Sequence, residues 1–505
     1  MPAVASSQLT ELAERVAEVI DLHQVAALVE WDQETMMPPR GAIFRATQQA
    51  ALHGVIHEKL TNPRIGELLS QLEEPGELHG LTEVQQAIVR EVRRDYDRAT
   101  KLPASLVREL ALTVTEALET WREARQLSSW GMFAPKLARI VELKRQQASC
   151  YGYTDSPYDA LLDEYEPGAT TAQLRRLFTD LRAATVALLN RIAAAPRQLD
   201  RGPFERPYDL GQQAAFTEQI LRDVGFDFSA GRQDRSTHPF STSFGPTDVR
   251  LTTRYDANDL AVALYASIHE GGHGLYELGL PVDLARSGVG EAASLGIHES
   301  QSRMYENFIG RSLPFWRFAF PKFRQYFPAQ TGDLSPEKLV AAANRVERSL
   351  VRVEADEVTY NLHIILRFEI EQRLITGQVG VDDLPALWNQ LMTDYLGVAP
   401  PNDRLGVLQD THWAGGSIGY FPTYSLGNVY AAQLWHALRR QLPDLDRDIG
   451  SGNFAEILRW LRENIHQYGR IYRPAELIKR ATGEEPNPSY LIQYLNDKYG
   501  ALYGV

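Results

Sequence analysis

Cysteine is nearly missing from this chain: Cys150 is the only one in 505 residues. A lone thiol excludes an intrachain disulfide and fits a reducing compartment. Cys150 itself reads as a small buried hydrophobe. Long apolar runs are missing too. No stretch of about 18 apolar residues occurs, which excludes a transmembrane helix. The N-terminus has no basic segment followed by an apolar core, since Glu11, Glu14 and Glu18 interrupt its apolar residues, so no signal peptide is expected. Positive charge is in deficit. A net charge of −13 argues against nucleic acid as a partner, because phosphate binding draws on a basic surface. Internal repeats, low-complexity segments and charged tails are also absent. The expectation is a cytoplasmic protein that touches neither membrane nor nucleic acid.

What is present is globular and mostly helical. By length the chain could hold about three domains, yet no linker divides it, so residues 1–505 read as one large domain. Leu9, Leu12, Val16, Val19 and Ile20 recur at helical steps. A second helix is predicted from Phe44 to Leu60. Thr82 with Gln85 forms a capping-box sequence opening a helix toward Tyr96, and further helices follow Pro103 and Pro135. The turn Asp163 to Gly168 reads as a solvated acidic loop, after which Thr171 caps a long helix. From Gly225 to Tyr255 the helical pattern lapses. Val249 and Leu251 alternate there with Asp248, Arg250 and Thr252, which predicts a strand. As an edge strand it could pair with an extended peptide. Ser335-Pro336 opens another helix, and Arg352 to Arg373 reads as one helix containing Asp356, Glu357 and His363. Gly406 to Pro422 is irregular, with enough polar and aromatic groups to suggest a site wall. Trp435, Trp460, Leu461 and Leu495 are core candidates beyond it. The fold class is mainly α, with a small β-sheet beside a groove, and two lobes around that groove are one arrangement open to it.

The densest chemistry lies in His269-Glu270-Gly271-Gly272-His273, an HExxH sequence. Leu260, Leu264 and Ile268 place it on an amphipathic helix. Positions i and i+4 lie on one face, so both imidazoles can aim at one divalent cation. Glu270 stands about 100° round the helix, where a general base belongs. Gly271 and Gly272 each cost about 1 kcal/mol relative to Ala in a helix. A close backbone approach is a physical reason to keep them. A catalytic zinc usually takes a third protein ligand. On chemistry alone His298 or Glu299, in His298-Glu299-Ser300-Gln301, could serve, ahead of a helix carrying Met304, Phe308 and Ile309. Tyr276 and Gly279 stand where the longer HExxHxxGxxH motif needs Gly and His. That favours Glu299, with His298 as its neighbour or a hydrogen-bond donor.

These stretches, together with His238-Pro239-Phe240, Asp248-Val249-Arg250-Leu251-Thr252, Arg352-Val353-Glu354-Ala355-Asp356-Glu357 and Gly406 to Trp413, resemble the carboxypeptidase Taq family from about Tyr158 to the C-terminus. The resemblance implies a helical, zincin-like fold with a deep groove, a homodimer, and release of single C-terminal residues from peptides with broad specificity. It makes His269, His273 and Glu299 the metal ligands and Glu270 the base. Zinc is the implied metal, with cobalt or manganese sometimes supporting activity. One position departs from related thermolysin-like enzymes. Four residues after Glu299, where those often carry an Asp that orients a ligand His, this chain has Arg303. His412, Tyr420 and Tyr424 are the candidate donors to a tetrahedral oxyanion. His238 and Asp248 are candidate substrate-binding residues. Arg352, or failing it Arg250, would hold the peptide's free carboxylate. The rival readings are a zinc oligopeptidase that cuts internally and a non-catalytic peptide-binding zinc protein.

Overall fold

A computed structural model describes residues 7–505. The stripe Leu9, Leu12, Val16, Val19 and Ile20 is buried along the helix Ser7–Thr35, which packs on the helix Ala42–Leu60 after the turn at Met36 to Pro39. Thr82 and Gln85 form the reciprocal cap of Glu83–Thr100. One hydrophobic core runs from Leu9 to Tyr503 and takes in Trp435, Trp460, Leu461 and Leu495, with a small satellite of Val19, Ala26 and Ile56 under the second helix. No helix among the described residues is long and apolar enough to cross a membrane.

Several elements differ from the sequence reading, each for a local reason. Pro135 lies inside the helix Trp130–Tyr151 instead of before one. The carbonyl it leaves unbonded belongs to exposed Gly131, where water can serve it. The helix Thr171–Ala194 is capped by Thr170, whose hydroxyl and Gln173 form the reciprocal pair, while Thr171 bonds Asp159. Arg352 to Arg373 is two elements. A 3₁₀ turn covers Arg352–Glu354, and the helix proper is Tyr360–Ile375. Asp356 divides them: its carboxylate accepts from the backbone of Val358 and Thr359, the Thr359 hydroxyl and the backbone of Glu347, which ties the loop down short of the helix. Cys150 is only half-buried.

The sheet has three strands, β1 (Gly231–Arg235), β2 (Ser241–Ser243) and β3 (Val249–Thr253), in the order β1-β3-β2. β1 runs parallel to β3, pairing Gly231 with Val249, and β2 runs antiparallel, pairing Ser241 with Leu251. The strand legible in the sequence is therefore the central one. Both its hydrogen-bonding edges are taken, so it cannot add a peptide strand, which corrects the edge-strand expectation. It backs the helix that carries the HExxH sequence: Val249, Leu251, Thr252 and Thr253 are buried, and Ser267 on that helix donates to the Thr253 hydroxyl at 3.2 Å.

Candidate active site

The HExxH sequence lies on the helix Leu260–Glu277, capped by Asp259, whose side chain accepts from the Ala261 backbone. His298 and Glu299 lie within a second helix, Leu295–Arg303, capped by Ser294 and continuing into a π-helical turn, Met304–Gly310. Met304, Phe308 and Ile309 are buried, so the apolar reading of that segment was right while its helix type was not. π-Turns recur at functional sites, because the extra residue per turn re-aims side chains.

The two helices meet with almost no side chain between them. A Cβ on Gly272 would stand 2.6 Å from the carbonyl oxygen of Gln301 and from the Cα of Ser302, and one on Gly271 would strike Leu221. The two glycines thus permit helix-on-helix contact. Gly427, on the helix Pro422–Gln441, does the same against Glu299. Gly272→Ala gains about 1 kcal/mol of helix propensity but overpacks a backbone contact. A net loss of about 1–3 kcal/mol in stability is expected, with weaker metal retention, checked by thermal unfolding and metal analysis.

This contact brings His269, His273 and Glu299 together. Their donor atoms all lie within 4.8 Å of one another. Glu299 Oε2 is 3.6 Å from His269 Nε2 and 3.4 Å from His273 Nε2. Donors about 2.1 Å from a tetrahedral cation stand about 3.4 Å apart, so this set fits a Zn²⁺-sized ion.

Each donor is oriented from behind. Glu306 Oε2 lies 2.9 Å from His269 Nδ1. It accepts that ring's N–H and leaves the Nε2 lone pair facing the cluster. His298 takes the same part for His273: its Nδ1 is 2.5 Å from His273 Nδ1 and its Nε2 is 2.7 Å from Glu277 Oε1. With Glu277 accepting from Nε2–H, His298 Nδ1 accepts from His273 and again frees Nε2. Arg303 donates to Glu299 Oε1 at 2.7 Å and to Glu306 Oε2 at 3.3 Å, while the Ser302 hydroxyl, bonded to the Glu299 carbonyl at 2.7 Å, also lies 3.0 Å from the Glu299 Oε2 that faces the imidazoles; Arg311 holds the other oxygen of Glu306. The orienting carboxylate that the sequence reading missed is thus seven residues after Glu299, in the π-helical turn that continues its helix. Burial opposes ionisation of Glu299, but Arg303 and His269 hold its carboxyl well below the usual range. Burial and the nearby His298 depress His273 to about 3, so the ring is neutral, as a ligand must be. Glu270 is buried, and burial pushes its carboxyl up to about 7 against the pull of His269.

In the acidic turn Glu164 is exposed as expected, but Glu166 is not. Glu166 is 1% exposed and accepts from the Gly296 backbone at 3.0 Å and the Tyr430 hydroxyl at 2.9 Å. It pins the start of the helix that carries Glu299.

The opposite wall comes from the stretch Gly406 to Pro422. His412 Nε2 is 3.2 Å from the Tyr424 hydroxyl, and the Tyr420 ring lies 5.3 Å from that of Tyr424. Tyr424 sits one turn before Gly427, the residue packed on Glu299, so this aromatic group faces the three-donor cluster. The charge on Glu299 is among the causes, after burial, that raise both tyrosines. Arg352 lies behind Tyr424, its guanidinium 5.1 Å from the ring centroid. Nε and Nη2 donate to Asp410 Oδ1, and Nη1 donates to Tyr360. Asp410 is shared with fully buried Arg367. The ion pair of Arg352 is with Asp410 and not with Asp356 or Glu357 of its own segment. Arg250, Asp248 and His238 make a separate group at the sheet. Arg250 pairs with Asp248 at 2.9 and 3.0 Å and lies over Trp31 of the first helix, while His238 is exposed.

Two histidines and a glutamate converging beside a buried carboxylate on an HExxH helix define a metal-dependent hydrolase. The sequence pattern of the carboxypeptidase Taq (M32) metallopeptidases matches residues 11–499. The chain is 43% identical over 512 residues to thermostable carboxypeptidase 1 of Thermus thermophilus, covering 100% of both, and 40% identical to carboxypeptidase 1 of Bacillus subtilis over 95% of both. Among solved structures, the M32 carboxypeptidase of Deinococcus radiodurans R1 superposes with a TM-score of 0.95 at 39% identity, over 99% of this chain and 100% of that one. The chain belongs to the carboxypeptidase Taq (M32) family and is a metal-dependent carboxypeptidase.

Proposed function

We propose that the enzyme removes single C-terminal residues from peptides of varied sequence, with zinc held by His269, His273 and Glu299. The donor set of two imidazoles and one carboxylate supports zinc, with cobalt or manganese as substitutes. When bound, the cation supplies Lewis acidity that activates a water and polarises the scissile carbonyl. Glu270 takes the proton of the attacking water and passes it to the leaving amine. His412, Tyr420 and Tyr424 supply donors toward the oxyanion from the facing wall. His238 and Asp248 contribute to peptide binding from the sheet side.

Recognition of the free carboxylate is what separates this reading from internal cleavage. The observation that carries it is the group Arg352–Asp410–Arg367: two guanidiniums share one carboxylate, which leaves a net positive charge against Tyr424. Only three of the five N–H donors of Arg352 are committed. Arg250 is the less suited anchor, since Asp248 takes it as an isolated pair. Arg352→Met should cost about 2–5 kcal/mol in kcat/KM on free-acid peptides and far less on amidated ones. An equal loss on both forms would make Arg352 a support of the fold. The reaction class is tested by incubating the enzyme with mixed peptides, with and without chelator. Single-residue C-terminal shortening abolished by the chelator is the expected product pattern by mass, and internal fragments would favour an oligopeptidase. A homodimer acting in the cytoplasm completes the proposal, and light scattering checks the assembly.

A further inference from the structure

Glu371 is a fully buried carboxylate on the helix Tyr360–Ile375, and nothing in the chemistry above uses it. Its Oε1 accepts from Trp413 Nε1 at 2.9 Å. Its Oε2 accepts from the Tyr158 hydroxyl at 2.7 Å and the Gly419 backbone at 3.0 Å. Trp413 directly follows His412, and Gly419 directly precedes Tyr420. One carboxylate therefore grips both neighbours of the two groups that face the three-donor cluster. One turn earlier on the same helix, Arg367 bonds Gln409 and Asp410 of the same stretch. The segment from 406 to 421 has no regular backbone ladder to hold it. Short backbone turns, such as Ser417 N–H to the His412 carbonyl at 2.8 Å, shape it locally, and side-chain anchors of this kind tie those turns to the neighbouring helix. Gly419 adopts a φ of +96° and lies with its Cα side against the backbone of Leu161 and Leu162, so its N–H has a fixed direction.

We propose that Glu371 is a positioning residue for catalysis: it fixes His412 and Tyr420 against the metal cluster through Trp413 and Gly419. This rests on the reading of His412 and Tyr420 as groups that meet the substrate. The chemistry of the anchor is exacting. The Trp413 indole and the Gly419 amide are obligate donors on opposite oxygens, so both oxygens must accept. Glutamine has the same shape but only one acceptor. Whichever way its amide turns, an NH₂ faces an N–H.

The test uses the full-length, metal-loaded enzyme and reports kcat, KM, metal content and thermal midpoint for Glu371→Gln, Trp413→Phe and the double variant. Glu371→Gln should keep its metal and lose about 100-fold in kcat, the scale of a small displacement of reacting groups. Trp413→Phe, which releases only the side next to His412, should lose about tenfold, comparable to one lost buried hydrogen bond. The double variant should lose less than the product of the two, because the amide no longer meets the indole N–H. If Glu371→Gln fails to fold, Trp413→Phe alone decides: wild-type kcat overturns the proposal. A folded, metal-loaded Glu371→Gln with wild-type kcat and KM, or with only a lowered midpoint, overturns it as well. His412→Ala and Tyr420→Phe separate the two layers. If both keep wild-type kcat, the reading beneath the proposal fails and the proposal falls with it. If either loses activity, the Glu371 results judge the proposal alone.

Discussion

Glu270→Gln is expected to keep its metal at wild-type stoichiometry and lose on the order of 10² to 10⁴-fold in kcat, the usual contribution of a general base. The side chain is buried beside His269 and is not one of the three converging donors, so an isosteric amide leaves the cluster intact. The pH profile carries a second signature. A base must be ionised to act, so activity rises with pH through its pKa. Burial sets the Glu270 carboxyl near 7 in the metal-free protein. A neighbouring dication favours the ionised form and moves the acid limb below that value. In the glutamine variant this limb should vanish. Near-normal turnover at full metal loading would remove Glu270 from the mechanism, and loss of metal would make it part of the ligand set.

The second large effect separates two adjacent residues. Glu299→Ala should strip the metal and abolish activity, because it removes the oxygen lying 3.4–3.6 Å from both imidazoles. It also removes the nearer carboxylate partner of Arg303, leaving its longer contact to Glu306 and the face of Tyr360. His298→Ala should retain the metal and lower affinity or rate by about 10–100-fold, the range for groups that orient a ligand from behind. That variant cuts the line from Glu277 to His273 without removing a donor from the cluster. Metal analysis decides between them. A metal-free His298→Ala beside a metal-loaded Glu299→Ala would reverse the assignment.

Legibility followed the range of the interaction. The HExxH spacing places both imidazoles on one helical face, a matter of backbone geometry within five residues. The N-terminal helix, the Thr82 box and the Ser335 cap were equally local. The π-helical turn was not: apolar spacing at Met304, Phe308 and Ile309 reads the same in an α-helix. At the Asp356 break three local donors, from Val358 and Thr359, are joined by the Glu347 backbone from the preceding loop, and helical spacing alone shows neither. The central place of β3 depends on two short, polar strands, Gly231–Arg235 and Ser241–Ser243, with no hydrophobic alternation to announce them.

By itself the sequence determined the helical class and the HExxH helix, and it offered Glu270 as a candidate base and two candidates for a third ligand. Periodicity and side-chain chemistry suffice for each of these. The tertiary structure alone decided which groups stand behind the donors. Glu306, Glu277 and Arg303 are ordinary helix residues in the sequence. Glu306 and Glu277 reach across to the facing helix where Gly272 lets the two helices meet at backbone contact, while Arg303 holds Glu299 one turn along its own helix. Glu166, read as part of a solvated turn, and Glu371, which no local pattern singles out, are buried by donors from distant segments. A carboxylate declares its role through the donors that surround it, and those donors come from parts of the chain that lie from 42 to more than 200 residues away.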